Sequence, residues 1–195
     1  MKQHSRIRSL ASAVTPQDRA FIKAQRPRCI WLTGLSGAGK STLANALEVQ
    51  LNQRGLHTSL LDGDDLRQGL CRGLGMDAES RKENIRRIAE VARLMVDAGL
   101  IVIVAAISPF RADREAARQL FSQGTFVEVY VSTPFGVCAE RDPKGLYREA
   151  RAGRIKNFTG IDSPYEVPLE PDCEINTDEV ELAQACQRLL TLLLG

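Results

Sequence analysis

The sequence predicts an α/β fold, a three-layer sandwich on a mostly parallel central sheet. Three observations carry this. Short apolar runs alternate along the chain with stretches of helical periodicity, the order that gives parallel strands with helices on both faces. Several of these runs are apolar at nearly every position, as in strands buried on two sides. The first is followed by Gly-Leu-Ser-Gly-Ala-Gly-Lys-Ser at 34–41 and then by a helical pattern, the strand–loop–helix setting of a phosphate-binding loop.

Taken in order, residues 1–27 read as a peripheral tail, partly helical from Pro16 to Ala24, and 28–195 as one domain of the P-loop NTPase-like class. Cys29–Thr33 is the first strand. A helix from about Lys40 to Gln53 carries Leu43, Ala46, Leu47 and Leu51 at helical spacing, with Gly55 as its stop. His57–Asp62 is the second strand, followed by a glycine-containing loop. Arg81–Ala98 is a helix with Ile85, Ile88, Ala89, Ala92, Met95 and Val96 in one stripe. Leu100–Ile107 is the third strand, broken by Ser108-Pro109. Arg111–Phe121 is helical, Thr125–Val131 a strand, Pro134–Glu140 a helix, and Cys173–Asn176 a short strand. Thr177 or Asp178 then caps a last helix. Ligands on such sheets sit beyond the carboxyl ends of the strands, so 34–41, 62–67, 108–111 and 132–133 are the segments to inspect.

Composition narrows the class. The chain has 195 residues, 44% hydrophobic and 26% charged, enough for one domain with a sizeable core. A net charge of +2 does not call for nucleic acid or a membrane surface. The five cysteines, at 29, 71, 138, 173 and 186, are odd in number and lack C-x-x-C spacing, which argues against a disulfide framework or zinc site and favours a reducing cytoplasm. Leu10–Val14 is too short for a signal peptide's apolar region, and no run approaches the ~20 residues of a membrane span.

The loop carries the strongest chemistry. Gly34, Gly37 and Gly39 let the backbone of Leu35, Ser36 and Ala38 curl so that amides converge on phosphate oxygens, and the helix start at Lys40, Ser41 and Thr42 adds its positive end. Lys40 suits the β- and γ-phosphates of ATP, and the Ser41 hydroxyl suits Mg²⁺. Asp62-Gly63-Asp64-Asp65-Leu66-Arg67 closes strand two, expected beside the first strand. Asp62 there can orient an acceptor hydroxyl, take its proton, or hold a metal-bound water. Read alone, the stretch is equally an acidic turn with Asp64 as a helix cap. Arg67 can grip an anion in a bidentate way.

Near the next helix start, Arg81 and Asn84 are placed to meet an anionic ligand, whereas Glu83 and Arg87 pair at i,i+4 on the solvated face. Ile107-Ser108-Pro109-Phe110-Arg111 sets a hydroxyl at the strand end and aims a cation at the crevice; as a bare Ser-Pro it is also an ordinary turn. Arg141–Lys156 is rich in basic residues, with Lys144 among them and Gly145 and Gly153 as hinges, and reads as a mobile lid over about 141–160 or as an exposed basic helix. Lys156-Asn157-Phe158 adds a cation and an aromatic face suited to a purine. No N-K-x-D guanine signature is present, and the third strand lacks a terminal aspartate, so Asp62 stands in for it. His4 and His57 are isolated.

These residues resemble the adenylyl-sulfate kinase family. The resemblance rests on GLSGAGKST at 34–42, LDGD at 61–64, RKENIRR at 81–87, ISPFR at 107–111, RDPKGLY at 141–147 and IKNFTGIDSPYE at 155–166. It implies ATP-dependent phosphorylation of the 3′-hydroxyl of adenosine 5′-phosphosulfate (APS), in sulfate assimilation, with Mg²⁺·ATP as co-substrate and no nucleic-acid or membrane partner. It implies that Asp62 is the base or orienting carboxylate. Asp64, Arg67, Met76, Arg81, Asn84, Ile107, Pro109, Arg111 and Lys144 would line the acceptor site. Phe158 would stack on its adenine, and Lys156 would lie near the acceptor. Ser108 is implied as a substrate contact or a phosphoserine carrier, and the protein as a homodimer. Four positions depart from the family pattern: Met76 replaces an aromatic, Ser132 an aspartate, Ser80 an acid, and Ala38 a serine. Another small-molecule kinase, acting on a sugar acid or nucleoside, and a nucleotide-binding module without turnover are the alternatives.

Overall fold

The computed structural model describes residues 13–195; His4 and the first twelve residues of the expected tail lie outside the described residues. Five parallel strands form one sheet in the order β2-β3-β1-β4-β5, with β1 Arg28–Thr33, β2 Thr58–Asp62, β3 Ile101–Ala105, β4 Phe126–Val131 and β5 Cys173–Ile175. The helices are α1 Pro16–Ile22, α2 Lys40–Asn52, α3 Gly63–Gln68, α4 Ala78–Asp97, α5 Arg111–Arg118, α6 Phe135–Arg141, α7 Leu146–Arg151 and α8 Leu182–Leu194.

Alternation along the strands separates two cores. Ile30, Leu32, Ile103 and Val129 face α2 and α8. Cys29, Trp31, Val102 and Val104 face the stripe of α4. All five cysteines are free, and four are buried. No helix among the described residues is long and apolar enough to cross a membrane. Residues from Thr15 to Gln25 pack on the base of the sheet: Arg19 donates to the Asp97 carbonyl at 3.2 Å, and the Gln25 amide donates to the His57 and Gly99 carbonyls at 2.9 and 2.8 Å.

Four expectations are corrected. Strand two does not lie beside strand one, because β3 intervenes, with Asp62 in register with Ala105 and Leu32 with Ala105 on the other side. The third strand ends at Ala105, so Ser108 stands outside it: both neighbours leave the sheet at that level, β1 into the glycine loop and β2 into α3. The last helix begins at Leu182 after Glu181, which makes no side-chain cap bond, so neither Thr177 nor Asp178 caps it. After β2 the chain forms α3 in place of a loop, and its cap is Asp62, not Asp64: the Asp62 carboxylate accepts from the Asp64 amide at 2.9 Å.

Candidate active site

At the carboxyl edge of the sheet, a cavity of about 790 Å³ runs between the glycine loop, the start of α4, residues 105–109 and the segment around α7. The loop is built by its glycines. Gly34 (φ 149°) and Gly37 (φ 77°) hold positive φ, and a Cβ would stand 2.5 Å from the Val131 oxygen at 34 and 2.7 Å from the Cys138 oxygen at 37. The loop carbonyls are tied to the protein. Ser36 O accepts from the Tyr147 hydroxyl at 2.9 Å, and Ala38 O from Thr133 Oγ1 at 3.0 Å and Thr177 Oγ1 at 2.9 Å. C=O and N–H of a trans peptide point in opposite directions, so the amides of Gly37 and Gly39, which line the cavity, turn toward it. That arrangement suits phosphate oxygens.

Lys40 is buried, with Nζ donating to the Gly34 carbonyl at 3.0 Å and the Leu35 carbonyl at 2.7 Å. Burial pulls its ammonium down to about 8, partly opposed by the nearby Cys138, Asp64 and Asp62. Ser41, in the first turn of α2, donates from Oγ to the Asp62 carboxylate at 2.6 Å. The end of β2 therefore reaches the phosphate loop across the intervening strand. Asp64 forms an ion pair with Lys144, which joins α3 to the segment before α7.

The far wall belongs to α4. Its apolar stripe fixes the helix rotation, and the same face extended toward the N-terminus buries Arg81 and Asn84. Arg81 donates from Nε to the Met76 carbonyl at 2.8 Å and from Nη2 to the Asn157 carbonyl at 2.7 Å, joining two sides of the cavity. Asn84 Oδ1 is buried without a hydrogen-bond partner, an acceptor facing a cavity that this residue lines. Arg67 donates to the Leu74 and Gly75 carbonyls, both at 3.3 Å. Met76 is exposed at the rim. Phe158 is buried edge-on against Tyr147, ring centroids 5.0 Å apart, and presents its ring to the cavity.

Ser36, Thr42, Ile107, Ser108 and Pro109 also line the cavity. Gly34, Leu35 and Ala38 shape the loop from outside the lining. Arg111 is not brought to the cavity: its Nε donates to the Val167 carbonyl at 2.7 Å and its amide to the Glu166 carboxylate at 2.7 Å. Lys156 is exposed and does not line the cavity either. Sequence reasoning missed the opposite end, walled by Arg141, Pro143 and Thr177–Leu182. Arg141 donates to Thr177 Oγ1 at 2.7 Å and to the Thr177 carbonyl at 3.0 Å. The sequence signals for Arg141 are its place in a basic run and at the head of the RDPKGLY motif, neither of which points to Thr177.

The family model described as adenylylsulphate kinase matches residues 26–176. The chain belongs to that family. The adenylyl-sulfate kinase of Aeromonas hydrophila is 60% identical over 183 residues, 94% of this chain and 93% of the relative. The Mycobacterium tuberculosis APS kinase, solved in complex with AMPPNP and APS, superposes with a TM-score of 0.84 at 44% identity, covering 88% of this chain and 99% of that one. The hexameric APS kinase from Thiobacillus denitrificans gives a TM-score of 0.65 at 31% identity, covering 88% of this chain and 29% of that one. The protein is thus a kinase, and the expected ATP-dependent phosphorylation of APS stands over the sugar-acid, nucleoside and non-catalytic alternatives.

Proposed function

We propose that the protein transfers the γ-phosphoryl group of ATP directly, in line, to the 3′-hydroxyl of APS, giving 3′-phosphoadenosine 5′-phosphosulfate and ADP in sulfate assimilation. One observation supports this most: the 2.6 Å contact between Ser41 Oγ and the Asp62 carboxylate, where the donor loop meets the carboxylate that can activate an acceptor. Asp62 orients the 3′-hydroxyl and takes its proton as the P–O bond forms. Lys40 exchanges its two loop carbonyls for β- and γ-phosphate oxygens. The Gly37 and Gly39 amides hold the same phosphates, so the transfer geometry is set before reaction. Arg81 and Asn84 grip the sulfonucleotide, with Arg67 beside them, and Phe158 takes its adenine face. The end walled by Arg141 and Thr177–Leu182 takes the nucleoside of ATP.

Ser41 Oγ offers a hard oxygen donor beside the phosphate loop, with the Asp62 carboxylate near enough to accept from a metal-bound water, a fit for Mg²⁺ arriving with ATP, which when bound would neutralise phosphate charge. Residues 141–160 act as the lid, and the ion pair of Lys144 with Asp64 closes it on the acceptor side. Direct transfer is favoured over a phosphoserine at Ser108, which is only 1% exposed and whose hydroxyl is already bonded on both sides.

The assay is ADP release from purified protein and Mg²⁺·ATP across a panel of APS, gluconate and a nucleoside. Stimulation by APS alone is expected; stimulation by gluconate or the nucleoside, with none by APS, overturns the reading. The protein is further proposed to work as a cytoplasmic homodimer. Light scattering should then give twice the chain mass, and a monomer or hexamer refutes it.

A further inference from the structure

Ser108 is a non-glycine residue at φ 47°, in the left-handed region. Such a conformation persists where surrounding contacts over-determine it, and it clusters at functional sites. Here the contacts come from behind the cavity. Ser108 Oγ accepts from the Trp31 indole N–H at 2.9 Å and donates its single proton toward the Ala106 carbonyl at 3.2 Å. The Ser108 carbonyl accepts from Arg114 Nη1 at 2.6 Å, and the Ile107 carbonyl from Thr33 Oγ1 at 2.7 Å.

These donors are themselves fixed. Trp31 is fully buried and stacked on Phe126, with centroids 5.7 Å apart and planes at 29°. Arg114 is held by Glu128 at 2.7 Å and by the Glu166 carbonyl at 2.7 Å. The indole cannot turn without displacing core side chains, so its N–H is a rigid donor aimed from the sheet interior at one hydroxyl. On the other side of that hydroxyl's backbone, Ile107, Ser108 and Pro109 face the cavity.

We propose that Trp31 is a positioning residue for the acceptor site: through the Ser108 hydroxyl it holds the 107–109 wall in the turn against which APS lies. This rests on the reading of that wall as part of the acceptor site. Trp31 touches no substrate, and its effect reaches APS through one hydrogen bond. Losing that bond leaves the Ser36 and Ala38 carbonyls tied to Tyr147, Thr133 and Thr177, and the loop meets the wall through the 3.4 Å bond from the Gly34 amide to the Ile107 carbonyl, so the acceptor suffers more than the donor.

The test is a double-mutant cycle with Trp31→Phe and Ser108→Ala, reading KM for APS, KM for ATP and thermal midpoint. Each single change should raise KM for APS about tenfold, the worth of one buried hydrogen bond, with KM for ATP within about twofold. The double variant should be no worse than the poorer single one, because both remove the same bond. The chain holds a single tryptophan, so replacing it biosynthetically with benzothienylalanine, which keeps the bicyclic ring but puts sulfur for N–H, should reproduce the effect without a cavity. If Ser108→Ala raises KM for APS but neither Trp31 change does, the proposal fails while the acceptor-wall reading survives. If no variant moves KM for APS, both fail. If Trp31→Phe and the benzothienyl protein raise both KM values together with a lower thermal midpoint, the role is merely structural and the proposal is overturned.

Discussion

Replacing Asp62 by Asn separates the chemistry at this position from its place in the fold. Asp62 has two bonds: one oxygen caps α3 by accepting from the Asp64 amide at 2.9 Å, and the other accepts from Ser41 Oγ at 2.6 Å. Asn keeps a carbonyl oxygen for the cap, and Asn and Asp cap helices about equally well. The stability change should therefore stay below about 0.5 kcal/mol, a shift of under about 2 °C in a chain of this size. The amide cannot take a proton and carries no charge. Loss of a general base costs about 10²–10⁴ in rate, roughly 3–5 kcal/mol of barrier. Steady-state ADP release with saturating ATP and APS, beside a thermal melt of the same preparation, measures both quantities. The expected result is a fall in kcat of at least two orders of magnitude with an unmoved melt. Near-normal turnover of Asp62→Asn, with Ser108→Ala inactive and folded, would show that the phosphoryl group travels through the serine and refute direct transfer.

Lys40 gives a pH test. Its folded pKa of about 8 lies below the ordinary 10.5, so between those values the unfolded chain binds more protons. The lysine's burial cost is then fully present below pH 8 and is relieved as pH rises through that window. ATP phosphates favour the charged form, so ATP binding at pH 9 should take up close to one proton; calorimetry in buffers of different ionisation heat that finds no uptake would refute this. Gly37→Ala forces a Cβ to 2.7 Å from a backbone oxygen at φ 77°, and should raise KM for ATP more than tenfold, read by initial rates, with a smaller change for APS. Arg114→Ala leaves the buried Glu128 without its 2.7 Å partner and should cost about 3 kcal/mol in urea unfolding. Adding Glu128→Leu removes the unpaired charge but leaves the Ser108 and Glu166 carbonyls without their Arg114 donors, so it should recover only part of that loss.

The sequence by itself determined what is local. The glycine loop could be read because its chemistry lies in eight consecutive residues between a strand and a helix. The apolar stripe of α4 was legible from its spacing, and Arg81 and Asn84 stood out by their nearness to the helix start; both line the cavity. Expectations that needed a distant partner fared differently. That β3 separates β1 from β2 depends on pairing between segments far apart in the chain. Thr177 looks like a helix cap, yet it holds the Ala38 carbonyl 139 residues away. Arg111 carries the right charge in the right segment, but its guanidinium is engaged by a carbonyl 56 residues on. Ser108 ends an apolar run, and only the buried indole 77 residues before it shows that its hydroxyl is occupied. Periodicity and spacing report a residue's type and face. Which of its hydrogen-bonding groups remain free for a ligand is decided by long-range packing, because most buried polar atoms are matched by a partner brought from elsewhere in the chain.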